Sequence, residues 1–272
     1  MTDPLDAKRE RLYISLKELD SVVVAYSGGV DSTYLLAASL AALGPEQVLA
    51  VTADSPTYPA DEREEAAQLA QQLGARQRLI YTTEIDDPRF AKNPPERCYF
   101  CKGHLFQDLT AIAQEAGLRA VVYGATLDDL GDHRPGMRAA KEAGARAPLI
   151  EAQLTKEDVR ALSRQLDLPT WDKPAQACLA SRFPYYATIT AEALGRIERA
   201  EHLLRREFGL RQVRVRHHDT VARLEIELTD LPRLLDEETR RRVAAGLKAL
   251  DYTYITVDLE GFRSGSMNEV LA

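Results

Sequence analysis

A chain of 272 residues, 45% hydrophobic and 28% charged, has the composition of a soluble globular protein and is too apolar for disorder. Its length suffices for one large α/β domain, or for one medium domain with a small one attached. A net charge of -7 argues against nucleic acid as a partner, because a large footprint needs clustered Lys and Arg.

Apolar runs are short, such as Val22 to Tyr26, and none approaches the roughly 20 residues that cross a bilayer. The start, Met1 to Asp6, has no basic segment leading into an apolar one, so it is not a secretory signal. No membrane association is expected, and a cytoplasmic location is the default.

The first 170 or so residues alternate strands and helices. Strands are expected at Val22 to Tyr26, Val48 to Ala53, Gln77 to Tyr81 and Ala120 to Tyr123. Helices are expected at Thr33 to Leu43, Asp61 to Leu73 (closed by Gly74) and Lys102 to Glu115. This alternation predicts an α/β fold, a parallel sheet flanked by helices. A helix from Thr155 to Leu166 follows, with Thr155 as N-cap and Asp158 as capping-box partner. Pro169, Pro174 and Pro184 then bound a long irregular stretch, of a length that points to function.

After about Tyr186 the pattern becomes α-β-β-α-β. A helix is expected at Thr190 to Phe208, strands at Val213 to Arg216 and Ala222 to Leu228, a helix at Asp236 to Leu250 and a strand at Tyr254 to Leu259. The expected division is a nucleotide domain at 1–185 and a small C-terminal α+β module at 186–272, serving substrate binding or oligomerisation.

Ser27-Gly28-Gly29-Val30-Asp31-Ser32 follows a strand and opens a helix. There, backbone N–H groups and the positive helix end converge on an anion. Glycines admit close backbone approach, and Ser27 and Ser32 can donate hydroxyl hydrogen bonds. Asp31 is acidic beside a phosphate site, which suits a cation such as Mg2+ or a role in ordering the loop. The absence of Gly-Lys-Ser/Thr excludes the Walker A loop. The segment resembles the PP-loop of ATP pyrophosphatases, whose fold is adenine nucleotide alpha hydrolase-like. That resemblance implies ATP as cosubstrate, with adenine over strand ends that here are Thr52-Ala53-Asp54 and Gly124-Ala125-Thr126.

Cys98, Cys101 and Cys178 are an odd count, which is no disulfide framework. The Cys-x-x-Cys pair lies just before the expected helix, whose positive end favours anionic ligands. Three thiolates can hold a [4Fe-4S] cluster and leave one iron open. A Cys3His zinc site with His104, or no metal at all, are the alternatives.

The PP-loop, Asp128 to Gly136 and Cys178-Leu179-Ala180-Ser181-Arg182-Phe183-Pro184-Tyr185 together resemble the LarE family over most of the chain. The resemblance implies an ATP-dependent sulfur transferase of nickel-pincer nucleotide synthesis for lactate racemase, acting on pyridinium-3,5-biscarboxylic acid mononucleotide and forming homo-oligomers. In one form of the family, the cysteine matching Cys178 gives up its sulfur and becomes dehydroalanine. In another, three cysteines hold a cluster and sulfur arrives as sulfide or from another donor. The resemblance also implies nucleotide binding by Ser181, Asp128 and Arg134.

Adenylation turns a carboxylate oxygen into a leaving group, and a sulfur nucleophile then attacks the acyl carbon. The developing charge calls for cations. Arg182 beside Cys178 is the first candidate, and Arg134 lies in another loop. Arg214 and Arg216 share one strand face and could meet substrate phosphate and carboxylates, or be a solvated face. Asp128, Asp129 and Asp132 could bind magnesium or ribose, or form a polar turn. His217-His218 is expected to be a turn, Glu225 and Glu227 an exposed acidic face, and Trp171 packing. Rival readings are a PP-loop tRNA thiolase, an amidating synthetase for NAD or GMP, and a non-enzymatic iron–sulfur carrier.

Overall fold

The computed structural model describes residues 4–131, 134–174, 177–263 and 265–271. Asp132 and His133 of the acidic loop lie outside the described residues, as do Ala175 and Gln176 ahead of Cys178. The chain forms two compact units, Met1–Glu84 with Glu96–Gln176, and Ile85–Pro95 with Ala177–Ala272.

In chain order, α1 (Pro4–Leu19), β1 (Val22–Ala25), α2 (Val30–Leu43), β2 (Val48–Asp54), α3 (Ala60–Gln72) and β3 (Arg76–Tyr81) open the first unit. After α4 (Pro88–Ala91), which belongs to the second unit, come α5 (Arg97–Glu115), β4 (Ala120–Tyr123), α6 (Pro135–Glu142), α7 (Pro148–Glu151) and α8 (Lys156–Gln165). The sheet order is β3-β2-β1-β4, with every pair parallel. The consecutive valines of β1 follow from this. Val22 and Val24 join one core with Leu12 and Leu16 of α1, Leu35 of α2 and Leu162 of α8. Val23 faces the other way, into a core with Phe106, Leu109 and Ile112 of α5. A strand whose alternate side chains are both covered must be apolar throughout.

Three helices carry no strong sequence signal. In α1 only Leu12 and Leu16 are buried, and α6 and α7 are short. Two helices start earlier than expected, α2 at Val30 and α5 at Arg97. In both, the first turn holds residues that chemistry rather than hydrophobic periodicity had marked.

The second unit contains α9 (Ala191–Phe208), β5 (Val213–His218), β6 (Val221–Ile226), α10 (Leu231–Leu235), α11 (Glu237–Lys248) and β7 (Tyr254–Val257). Its sheet order is β5-β6-β7, β5 antiparallel and β7 parallel to β6. Leu204, Val215, Leu224 and Leu247 pack into its core. Thr190 caps α9, its hydroxyl accepting from the Ala193 N–H at 3.2 Å. The unit begins ahead of Cys178, not after Tyr185, and it recruits residues 85–95. Hydrogen bonds explain the recruitment. The buried Asn93 amide donates to the Pro184 carbonyl at 2.6 Å, while Tyr186 and Ile189 N–H groups donate to the carbonyls of Asn93 and Ala91.

Among the described residues, no helix is long and apolar enough to cross a membrane.

Candidate functional site

The loop after β1 is closed on itself. The Ser27 N–H donates to Ser32 Oγ at 3.3 Å, the Ser32 hydroxyl donates to the Gly29 carbonyl at 3.2 Å, and the two serine hydroxyls lie 3.2 Å apart. The serines thus shape the loop internally. The three glycines nearby have different reasons to be glycine. Gly28 has φ +65°, and a Cβ there would sit 2.7 Å from Ala66 Cβ on α3. Gly124, at the end of β4, would place a Cβ 2.9 Å from the Asp31 carbonyl carbon and the Ser32 nitrogen. Both are required by the protein's own packing. Gly29 is not. Its φ of −78° suits any residue, and a Cβ would meet nothing closer than Ser27 Oγ at 3.6 Å. Gly29 is also the N-cap of α2, and no side chain among the described residues caps the helix. Uncapped N–H groups at a positive helix end, beside a position kept bare, are the surroundings a phosphate oxygen requires.

Asp31 stands in the first turn of α2. Burial pushes its carboxyl up to about 6, with help from Asp129 and Asp128 and against Lys156 and Arg160. Asp129, 5% exposed, accepts from the Thr126 N–H at 2.9 Å through Oδ2. Its Oδ1 lies 3.0 Å from both the Arg134 guanidinium and the Lys156 ammonium. Burial alone would raise Asp129, but Thr126, Lys156 and Arg134 hold it below the usual carboxylate value. Asp128 accepts from the Lys156 N–H at 2.7 Å and so ties its loop to the start of α8. There Thr155 and Asp158 form both halves of a capping box. Asp54, next to Ala53 at the end of β2, pairs with Arg63. Lys156 and Arg160 were not among the site residues sought by motif. No spacing marks the two cations, which reach Asp31 only through the fold.

Cys98 and Cys101 are the second and fifth residues of α5, on it and not before it. Their i, i+3 spacing puts them on one helical face. Segment α6 braces this turn: Arg138 lies 4.2 Å over the Tyr99 ring, and the Tyr99 hydroxyl donates to Glu142 at 2.6 Å. Gly136 lies close against this turn, where a Cβ would come within 2.9 Å of Lys102 Cγ. None of the three cysteines is in a disulfide, and each is half-buried. Among the described residues, no group of three or more His, Cys, Asp and Glu side chains gathers where it could hold a metal ion.

Cys178 belongs to the second unit, at the start of a single 3-10 turn, Leu179–Arg182. Arg182 is 1% exposed and is fully occupied with holding this turn. Its Nε and Nη2 donate to Glu201 at 2.7 and 2.9 Å, and Nη1 donates to the carbonyls of Ala177 and Cys178 and to Ser181 Oγ. Burial would raise the Glu201 carboxyl, but Arg182 and Arg205 hold it below its ordinary value. Arg216 is buried as well, donating to Glu225 at 2.7 Å and to the Ser181 carbonyl at 2.6 Å. Arg214 shares its face but has no carboxylate partner among the described residues. Its guanidinium stacks 4.5 Å over Phe262. Burial, with Arg182 and Arg216 nearby, lowers it to about 10.

Several polar expectations are corrected here. Arg214 and Arg216 are buried, so they are no solvated face. Glu225, 1% exposed, is ion-paired with Arg216 and Arg223 and makes no acidic surface. Glu227 lies beyond the end of β6. His217 and His218 continue β5, and His217 Nδ1 is 3.2 Å from the Tyr252 hydroxyl. Arginine–carboxylate pairing hides these charges, which a hydropathy pattern reads as exposed. Trp171 carries Arg164 5.1 Å over its ring.

The NAD synthase family model matches residues 9–105. An uncharacterised protein of Synechocystis sp. is 43% identical over 267 residues, 98% of this chain and 99% of that one. The pyridinium-3,5-bisthiocarboxylic acid mononucleotide synthase of Lactiplantibacillus plantarum is 39% identical over 267 residues, 98% of this chain and 96% of that protein. The NH3-dependent NAD+ synthetase of Hyperthermus butylicus is 44% identical over only 69 residues, 25% of each chain.

Proposed function

Because the chain belongs to the pyridinium-3,5-bisthiocarboxylic acid mononucleotide synthase (LarE) family, we propose that it adenylates a carboxylate of pyridinium-3,5-biscarboxylic acid mononucleotide and replaces oxygen by sulfur. It is an ATP-dependent sulfurtransferase of the PP-loop class. Its product serves the nickel-pincer nucleotide of lactate racemase, and the same reading makes it a cytoplasmic homo-oligomer. The observation that carries the ATP half is the bare Gly29 position at the uncapped start of α2.

The substrate carboxylate oxygen attacks the α-phosphorus of ATP, the bond to the β-phosphate oxygen breaks, and pyrophosphate leaves into the phosphate loop. A sulfur nucleophile then attacks the acyl carbon and AMP departs with the former carboxylate oxygen. Asp31 fits a magnesium ion beside the phosphates, since a divalent cation offsets the burial and the Asp129 repulsion that raise its carboxyl. Asp128 and Arg134 act at one remove, through α8 and through Asp129. Arg214, a buried cation with no carboxylate partner among the described residues, is the group for a substrate anion. Arg182 and Ser181 set the Cys178 turn.

Cys178 supplies the sulfur step. Three cysteine thiols are the donor type of a [4Fe-4S] cluster with one open iron, although Cys98, Cys101 and Cys178 form no gathered metal-binding group among the described residues. Such a cluster would supply an open iron for sulfide. In the alternative, Cys178 surrenders its own sulfur. Iron, acid-labile sulfide and zinc content after anaerobic preparation, for the parent and Cys98→Ala, separates these. About four irons per chain, lost in the variant, supports the cluster. Full thiolation by an iron-free parent leaves Cys178 as the donor. Cys178→Ala should keep ATP binding and lose sulfur transfer, and normal product from that variant would remove the assignment.

A further inference from the structure

The turn after β2 is tied to the phosphate loop by a chain of hydrogen bonds that no motif covers. Glu84 is 4% exposed, and its Oε1 accepts from the hydroxyls of Ser55 and of Thr57, the latter at 2.9 Å. The Thr57 N–H donates to Ser55 Oγ at 3.0 Å, and the Tyr58 N–H donates to the Ser55 carbonyl at 3.0 Å. Ser55 and Thr57 are themselves buried. The carboxylate therefore locks a tight turn whose next side chain is Tyr58. The Tyr58 hydroxyl donates to the Ser27 carbonyl, the first residue of the phosphate loop. Burial, then Glu62, keeps this hydroxyl above its ordinary titration range, so it remains a donor. Pro59 and α3 follow directly, and Ala66 of α3 is what Gly28 packs against.

We propose that Glu84 and Tyr58 are positioning residues for ATP: Glu84 sets the Ser55–Tyr58 turn, and Tyr58 holds the Ser27 peptide so that the N–H groups after it face the phosphates. Stability gives little reason for this arrangement. Glu84 Oε2 is buried without a partner among the described residues, and an apolar replacement of similar volume generally serves a core as well. A rigid phosphate cradle does gain from it, because loop N–H groups must be aimed before the ligand arrives. The inference rests on the phosphate-loop reading of the ATP site.

The test is equilibrium binding of ATP with magnesium to the full chain, with thermal midpoints measured in parallel. Tyr58→Phe should weaken ATP about five-fold, within the worth of one hydrogen bond, and leave the midpoint nearly unchanged. Glu84→Ala should weaken ATP by about five- to ten-fold, while Glu84→Gln, whose amide oxygen still accepts, stays within about two-fold. The double variant Tyr58→Phe with Glu84→Ala should bind no worse than Glu84→Ala alone, as groups acting in series do. Parent-like ATP binding by Tyr58→Phe, or additive losses in the double variant, would overturn the proposal. Gly29→Ala separates the two readings. If it too binds ATP normally, the phosphate-loop assignment fails; if it alone is impaired, only the Glu84–Tyr58 inference fails.

Discussion

The two units treat their charges in opposite ways. In the second unit the buried carboxylates Glu201 and Glu225 are each matched twice: Arg182 and Arg205 share Glu201, and Arg216 and Arg223 share Glu225, with Asp258 also on Arg223 at 2.5 Å. In the first unit, the start of α2 is left uncapped and Asp31 is raised to about 6 by burial beside Asp129. A matched cluster fastens backbone, here the turns around Cys178 and Ser181. An unmatched one keeps an electrostatic cost that a ligand can relieve. Chemical type alone does not separate them, since Arg182 has the credentials of a catalytic cation and yet bonds the protein through all three of its guanidinium nitrogens.

The sharpest way to break this contrast is to unmatch a fastener. Glu201→Ala leaves the Arg182 guanidinium buried without its carboxylate and should cost about 3–5 kcal/mol of stability. A thermal or urea transition close to the parent's would show that the cluster is not structural. The glycines come next in size. Gly28→Ala meets Ala66 at a left-handed backbone angle, so it should destabilise by about 1–3 kcal/mol. Gly29→Ala has ordinary angles and open space, so it should fold within about 0.5 kcal/mol of the parent yet bind ATP at least about ten-fold more weakly. Reversal of that pattern would move the phosphate site elsewhere.

The effect confined to one pH window is the most diagnostic. The Asp31 carboxyl titrates higher in the folded chain than in an unfolded one, about 6 against 3.8. The folded state therefore binds the extra proton, and the cost appears as pH rises through this window and is complete above it. Asp31→Asn should raise stability by about 1–2 kcal/mol at pH 7.5, after allowance for solvent screening, and by almost nothing at pH 4. It should at the same time abolish magnesium-dependent pyrophosphate release. Stability curves at the two pH values check the sign. An equal gain at both would mean that the carboxyl is not perturbed.

Much of the first unit was legible because its signals are local. Consecutive valines bounded by Ser27-Gly28-Gly29 announce a buried strand running into an anion loop, and the helices with full apolar stripes follow from periodicity. Helix α1, with two buried leucines, carries almost no stripe to read. The start of α5 was missed because Arg97 to Cys101 has no apolar period, although Cys98 and Cys101 lie on it. In the second unit the element order was readable, but the polar residues were misjudged, because pairing across strands buries charges that look solvated in sequence. Glu225 opposite Arg214, and Arg216 opposite Arg223, owe their neighbours to the register of β5 on β6.

The sequence by itself determined the parallel α/β sheet, the phosphate loop, the three thiols and the kind of chemistry they suit, since these rest on hydrophobic period, glycine placement and residue type within short windows. Only the tertiary structure decided which glycine of the loop is not required by the protein's own packing, that Arg182 and Arg216 are fasteners while Arg214 has no carboxylate partner among the described residues, and that Glu84 reaches the phosphate loop through Tyr58. The physical reason is that burial, electrostatic pairing and steric room depend on distances between residues far apart in the chain, and no local pattern records them.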